Sequence, residues 1–252
     1  MFDSGVGGLA VARAFQRLAP SERIVYFADT AWFPYGPRPA AEVRKRSFAI
    51  AHRLLASDVK LIVVACNTAS AAALDALREA FPAVPFVGMV PGVKPAARQS
   101  HSRHVVVLAT AGTLDGGLFE RVVEEFGKGT RVARVVGHGL AEAVERAEHA
   151  TPHVRARLCE LLQPEITAGA DTIVLGCTHY AFLTNVIKEE FPGVTVVDTT
   201  EPVARRALDL LRARDALGTG PGGLSLIVSL DPERFAQKIE RLGFQRTEAV
   251  QV

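Results

Sequence analysis

The chain has 252 residues, 48% of them hydrophobic and 22% charged, with 29 Lys+Arg against 27 Asp+Glu. That is enough apolar material for one large or two small cores, which excludes disorder as the main state. The balanced, interleaved charge excludes the basic surplus of a nucleic-acid binder, three cysteines are too few for a disulfide scaffold, and no apolar run reaches the length that spans a membrane. With no secretory leader at its start, the chain is expected to be a cytoplasmic protein with reduced thiols.

In chain order, Asp3-Ser4-Gly5-Val6-Gly7-Gly8 reads as a tight turn opening a helix over 9–18. Such a turn can hold an anion, or it can simply cap the helix through Asp3 or Ser4. A strand over 24–27 leads into an aromatic loop, Asp29-Thr30-Ala31-Trp32-Phe33-Pro34-Tyr35-Gly36, which either shapes a pocket or covers a core edge. A helix follows over 43–55. The run Leu61-Ile62-Val63-Val64-Ala65 is apolar throughout, as a strand buried on both faces of a parallel sheet must be. It ends at Cys66, and a helix over 69–81 places Leu74, Leu77 and Phe81 on one face.

Further strands are expected at 86–90, 105–109, 131–136, 172–175, 194–197 and 224–229. Helices are expected at 118–126, 154–166, 181–191, 203–216 and 232–242. Strand–helix alternation of this kind gives an α/β fold with mainly parallel sheets. The Gly-Thr-Gly-Pro-Gly-Gly run at 218–223 reads as a loop, and the strand and helix after it could join either half of the molecule.

Two passages repeat one plan. Each is a strand, a small residue, a cysteine, polar residues, a helix, Phe-Pro and a new strand. Pro82 follows Cys66 by 16 positions, and Pro192 follows Cys177 by 15. The repeat implies two similar halves, each with a cysteine at the carboxyl end of a strand, where open α/β sheets bind ligands. A helix N-terminus favours the reactive thiolate. The bland alternative, a small apolar cysteine filling core space, fits Cys159 among Leu158, Leu161 and Leu162 better than it fits two matched corners. Cys177-Thr178-His179 lacks the further ligands a zinc site needs. His179 beside a thiol points instead to proton transfer or to holding a carboxylate.

These motifs together resemble a known family. Phe2-Asp3-Ser4-Gly5-Val6-Gly7-Gly8-Leu9, Ala28-Asp29-Thr30 with Pro34-Tyr35-Gly36, Ala65-Cys66-Asn67-Thr68-Ala69, and Leu175-Gly176-Cys177-Thr178-His179-Tyr180 match the glutamate racemase family in order and spacing. The resemblance implies two α/β domains related by a pseudo-two-fold axis, with the site in the cleft between them. We expect one domain at 1–95 plus 207–252, carrying Cys66, and the other at 96–206, carrying Cys177. It implies interconversion of L- and D-glutamate with neither cofactor nor metal, D-glutamate being supplied for peptidoglycan.

Carried over by motif, Cys66 and Cys177 are the acid/base pair, Asp3 and His179 support them, and Glu145 backs the second cysteine. Asp3, Ser4, Tyr35, Gly36, Asn67, Thr68, Thr178 and His179 would contact substrate. The family commonly forms a homodimer. This chain departs from the pattern in four places, the slightest being Ala28 where a glycine usually precedes Asp29. It begins at the family's first motif, without the short strand that usually precedes it: either the start is misassigned or the strand is absent, and in the second case Asp3 would lie near a free, mobile terminus. Gly137-His138 replaces a usual Cys-Pro, and Glu142 a usual proline. The alternatives are a racemase of the same group acting on aspartate or another acidic compound, and a non-catalytic ligand-binding protein on the same scaffold.

Overall fold

The computed structural model describes residues 1–251. Its strands are β1 (Phe2–Asp3), β2 (Arg23–Ala28), β3 (Ile62–Val64), β4 (Phe86–Gly88), β5 (His104–Ala109), β6 (Arg131–Val136), β7 (Thr172–Gly176), β8 (Thr195–Val197), β9 (Gly223–Val228) and β10 (Ala249–Gln251). Its helices are α1 (Leu9–Leu18), α2 (Ala40–Leu55), α3 (Asn67–Ala80), α4 (Val93–Gln99), α5 (Ala111–Leu114), α6 (Gly117–Phe126), α7 (Leu140–Glu145), α8 (Pro152–Thr167), α9 (Thr184–Glu190), α10 (Thr200–Ala213) and α11 (Pro232–Arg241), with 3-10 turns at Thr30–Trp32 and Thr178–Leu183.

Two sheets form, ordered β10-β9-β2-β1-β3-β4 and β6-β5-β7-β8. Every strand pair in them is parallel. Alternation along the strands explains why they read as continuous apolar runs. Ile62 and Val64 face a core beneath α2 and α3, whereas Val63 and Ala65 face the opposite side. In the second sheet Val105 and Val107 face one core and Val106 and Leu108 the other. One apolar cluster takes side chains from both sheets, among them Val63, Ala65, Val106, Leu108 and Leu175. The strands are therefore buried on both faces, as the composition of helix-covered parallel sheets requires.

Close to the start of the chain, Asp3 is nevertheless held firmly in place. Phe2 and Asp3 form a two-residue strand at the centre of the first sheet, with Phe2 in register with Phe27 on one side and Val64 on the other. Asp3 is wholly buried. The strands after the glycine-rich loop join this same sheet, β9 lying beside β2. Helix α10 packs on α1, so the chain has returned to the first sheet's side by Thr200. The expected helix over 181–191 opens instead with the 3-10 turn that starts straight after Cys177.

Candidate active site

Because the strands are parallel, the carboxyl ends of neighbouring strands lie side by side. In the first sheet this brings Asp3 at the end of β1 next to the corner after β3, where the Ala65 N–H donates to the Phe2 carbonyl at 2.8 Å. Cys66 caps α3 in an extended conformation. In the second sheet Ala109 of β5 lies in register with Gly176 of β7. A Cβ at 176 would lie 2.7 Å from that of Ala109, so only glycine lets the two strand ends close up before Cys177. Cys66 and Cys177 are both buried and both free.

The first cysteine has an anion as its neighbour. Asp3 Oδ2 accepts from the Gly8 N–H at 2.7 Å, and Oδ1 has no hydrogen-bond partner. Burial pushes the Asp3 carboxyl up, against the pull of His179 and the backbone N–H groups of Gly8 and Ser4. Burial, then the Asp3 charge, then the Cys177 charge push the Cys66 thiol well above its ordinary value, and the Ala69 N–H of α3 only partly offsets them. The thiolate-favouring effect expected of a helix N-terminus is thus overridden at Cys66, because desolvating a thiolate costs more than one amide returns.

The second cysteine has an imidazole as its neighbour. His179 Nδ1 lies 3.9 Å from Cys177 Sγ, and Nε2 lies 3.0 Å from Glu145 Oε2. Burial alone would push the imidazole pKa down, but the bonds to Cys177 and Glu145 and the Asp3 charge carry it well above the ordinary histidine range. Glu145, at the end of α7, opposes its own burial in the same way. His179, then Lys238, hold its carboxyl down at about 2. Its Oε2 also accepts from the Val6 N–H at 3.1 Å. One carboxylate thus ties the glycine-rich turn near β1 to the Cys177 corner.

The unusual Gly137-His138 pair does not disturb this. The Tyr180 hydroxyl donates to the Gly137 carbonyl at 2.8 Å, and a Cβ at 137 would collide with that hydroxyl.

Several buried polar atoms around the two corners lack any partner: both Asn67 amide atoms, Thr178 Oγ1 and Asp3 Oδ1. Unpaired buried polar groups are rare in folded proteins, so a cluster of them at two matched corners calls for an explanation. Ser4 is buried beside Asp3. Gly36 abuts Thr110, and its carbonyl accepts from the Gly112 N–H at 3.0 Å. Tyr35 turns its hydroxyl away to Asp29 Oδ2 at 2.5 Å, and Arg46 grips the same carboxylate at 2.7 and 2.6 Å. Tyr35 therefore anchors the aromatic loop from beneath while the backbone at Gly36 faces the second sheet. Phe33 packs on His179 with ring centroids 5.4 Å apart.

Three features escaped the sequence. Thr68 Oγ1 lies 2.9 Å from Thr110 Oγ1, which lies 2.9 Å from Thr113 Oγ1, so hydroxyls from both sheets meet beside Asn67. Thr110 directly follows a strand, as Cys177 does, and that position was its signal. The Asp29–Arg46 pair and Lys238 carried no such signal, because nothing in their local sequence shows which carboxylate they reach. Cys159 is half-buried against the core, with its thiol donating to Glu190 Oε2 at 3.5 Å. Among the described residues no group of three or more His, Cys, Asp or Glu side chains is placed to hold a metal ion, and no helix is long and apolar enough to cross a membrane.

Two matched thiol corners at the facing ends of parallel sheets define an α/β protein built for acid/base chemistry on a small polar substrate. Residues 9–207 match the family model described as Asp/Glu/hydantoin racemase, and the chain belongs to that family. It is 44% identical over 246 residues to a glutamate racemase of Roseiflexus sp., covering 96% of this chain and 90% of that protein. The crystal structure of glutamate racemase from Thermus thermophilus in complex with β-chloro-D-alanine aligns over 100% of this chain and 94% of its own, at 37% identity and a TM-score of 0.87. That of Escherichia coli glutamate racemase in complex with L-glutamate and the activator UDP-MurNAc-ala aligns over 100% and 97%, at 33% identity and a TM-score of 0.86.

Proposed function

We propose that this protein is an isomerase that interconverts L- and D-glutamate by moving the α-proton between two cysteines on opposite faces of the substrate. The observation that carries the reading is the contrast between the two thiols. Cys66 has the Asp3 carboxylate beside it, and Cys177 has the His179 imidazole, whose pKa the bonds to Cys177 and then Glu145 raise. A half-reaction needs one thiol as the acid and one thiolate as the base, and this asymmetry prepares such a pair.

The step follows from those roles. The Cys177 thiolate takes the α-proton and becomes a thiol. The electron pair left on Cα spreads into the α-carboxylate as an enediolate. The Cys66 S–H then delivers its proton to the opposite face and becomes the thiolate. The reverse half-reaction starts from that state. The α-proton is far less acidic than a thiol, so charge stabilisation of the enediolate supplies much of the barrier reduction. We assign this to Asn67, Thr178 and the Thr68–Thr110–Thr113 hydroxyls, with Asp3 and Ser4 facing the substrate ammonium and the Tyr35-Gly36 loop closing one side. Two carboxylates and an ammonium supply the partners that the unpaired buried atoms lack.

In this reading the residues around the first sheet, 1–95 plus the returning C-terminal segment, form one domain, and the residues around the second sheet form the other. Helix α10 runs unbroken through position 207 and packs on α1, so we place the return crossing before Thr200 instead. The product D-glutamate serves peptidoglycan synthesis, in the cytoplasm, and two copies of the chain pair as a homodimer. Light scattering on the purified protein tests the pairing.

The function is tested by incubating the protein with L-glutamate in D₂O, with nothing added, and following optical rotation and the α-proton signal. Loss of both is the expected result. Exchange without loss of rotation means one working thiol. Activity on aspartate alone moves the protein to the sister reaction, and saturable binding of glutamate with no exchange makes it a binding protein.

A further inference from the structure

We propose that Lys238, on helix α11, is a positioning residue for the second acid/base corner: it fills the last open oxygen of Glu145 and thereby fixes how that carboxylate holds His179 against Cys177. The proposal rests on the two-thiol reading above, but part of its test does not.

The geometry singles out Lys238. Glu145 Oε2 is occupied, taking the Val6 N–H at 3.1 Å and His179 Nε2 at 3.0 Å. Lys238 Nζ meets the other oxygen, Oε1. All three side chains are largely shielded, at 17% exposure for Lys238, 9% for Glu145 and 2% for His179. A buried carboxylate with one oxygen unpaired is costly, and it relieves that cost by turning or by taking up a proton. Either change loosens His179.

The lysine itself is well placed. Its Nζ lies over the Phe235 ring, 5.9 Å from the centroid. The charged groups facing this corner are Glu142, Arg146 and Glu148 at the end of α7, and Arg234 and Arg241 on α11, around a cavity of about 610 Å³. Asp3 and Cys177 act on His179 from the other side. Arg146 is already committed to Glu148 at 2.7 Å. Among the described residues, Lys238 is the one cation of that cavity bonded to Glu145. The Lys238 ammonium is also one of the charges that hold the Glu145 carboxyl low.

The test compares Lys238→Met and Lys238→Arg, with Arg241→Met as a control that lines the same cavity without touching Glu145. In substrate-free protein, carbon-13 NMR of the Glu145 carboxyl should show its titration midpoint raised by about one pH unit or more in Lys238→Met. It should be restored in Lys238→Arg and unmoved in Arg241→Met. In the glutamate assay, kcat/KM should fall about 10- to 100-fold in Lys238→Met, the range that outer partners of a functional histidine carry. The acid limb of its pH profile should move upward, and the arginine variant should recover to within about threefold. Lys238→Leu, which offers Glu145 neither a donor nor a charge, carries the same test should the methionine variant unfold.

An unchanged Glu145 midpoint, or kcat/KM within about twofold of the parent in Lys238→Met, overturns the proposal. A parent protein that exchanges no glutamate overturns the functional reading instead, and the NMR titration still decides the role of Lys238.

Discussion

Adding one methyl group at Gly7 should disable the site while sparing the fold. Gly7 lies in the turn between β1 and α1. A Cβ there would sit 2.5 Å from His179 Nδ1, 2.6 Å from Thr178 Oγ1 and 2.8 Å from the His179 backbone nitrogen. Atoms of these kinds rest at about 3.5 Å, so alanine demands a displacement of roughly 1 Å. All three obstacles belong to the corner that begins at Cys177, so relieving the clash drags that corner away from the first sheet. A misplacement of about 1 Å at a reacting centre costs on the order of 100-fold in rate, or about 3 kcal/mol of barrier. The stability cost of such overpacking is about 1–3 kcal/mol.

Gly7→Ala should therefore melt a few degrees below the parent and lose about two orders of magnitude in kcat/KM, followed by optical rotation with either enantiomer. Gly117→Ala, where the nearest atom to a new Cβ is Arg121 Nη1 at 3.9 Å, is the neutral control. A Gly7→Ala variant within about twofold of the parent in kcat/KM would show that catalysis does not need the two corners to approach this closely.

Other outcomes rest on the same geometry. Cys66→Ser and Cys177→Ser should each abolish racemisation, a loss of at least 10³-fold on the scale of positioned acid/base groups, and D₂O exchange in each should survive for at most one enantiomer; racemisation at the parent rate in either variant rejects the two-thiol step. Cys159→Ser should leave turnover unchanged, and a folded but inactive variant would assign Cys159 a role its half-buried position does not suggest.

Glu145 should also mark acid stability. Its folded pKa, about 2, lies below the ordinary 4.5, so its contribution to stability is complete above pH 4.5 and disappears as pH falls toward 2. Denaturant unfolding of the parent and of Glu145→Gln should differ most near neutrality and converge through that window. A difference that stays constant across it would mean the carboxylate does not stay ionised in the fold.

Much of this was legible because each half uses long apolar strands ending at a distinctive corner. The run from Leu61 to Ala65 announces a doubly buried strand, and the polar residues at its carboxyl end, Cys66-Asn67-Thr68, then have to face a cleft. The same logic places Cys177, Thr178 and His179. Phe2–Asp3 escaped because two residues carry no period. Their strand character comes wholly from Phe27 and Val64 on either side. Helices α4, α5 and α7 are too short, at 7, 4 and 6 residues, for a 3.6-residue repeat to stand out. The protonation of the corners was the least legible part. A helix N-terminus is visible in sequence, but the desolvation that overrides it at Cys66 depends on burial by residues far away in the chain. Lys238 was hidden for a related reason: on a strongly amphipathic helix, a lysine facing a buried carboxylate reads the same as one facing solvent.

The order of the strands has a consequence for how the molecule is born. The second sheet is drawn from one continuous stretch, residues 104 to 197, and so can assemble while the ribosome is still working. The first sheet cannot. Its centre, β1, is made before any strand of the second sheet, but β2 stays an open edge until β9 arrives, after the second sheet is complete. An unpaired edge of this kind invites wrong partners, and closing it across so long a stretch of chain is intrinsically slow. Helix α11 is made later still, and it brings Lys238. Once Cys177 has been made, the nascent chain thus carries both cysteines in corners not yet braced by α11. The bond from Lys238 to Glu145 can form only once α11 has left the ribosome.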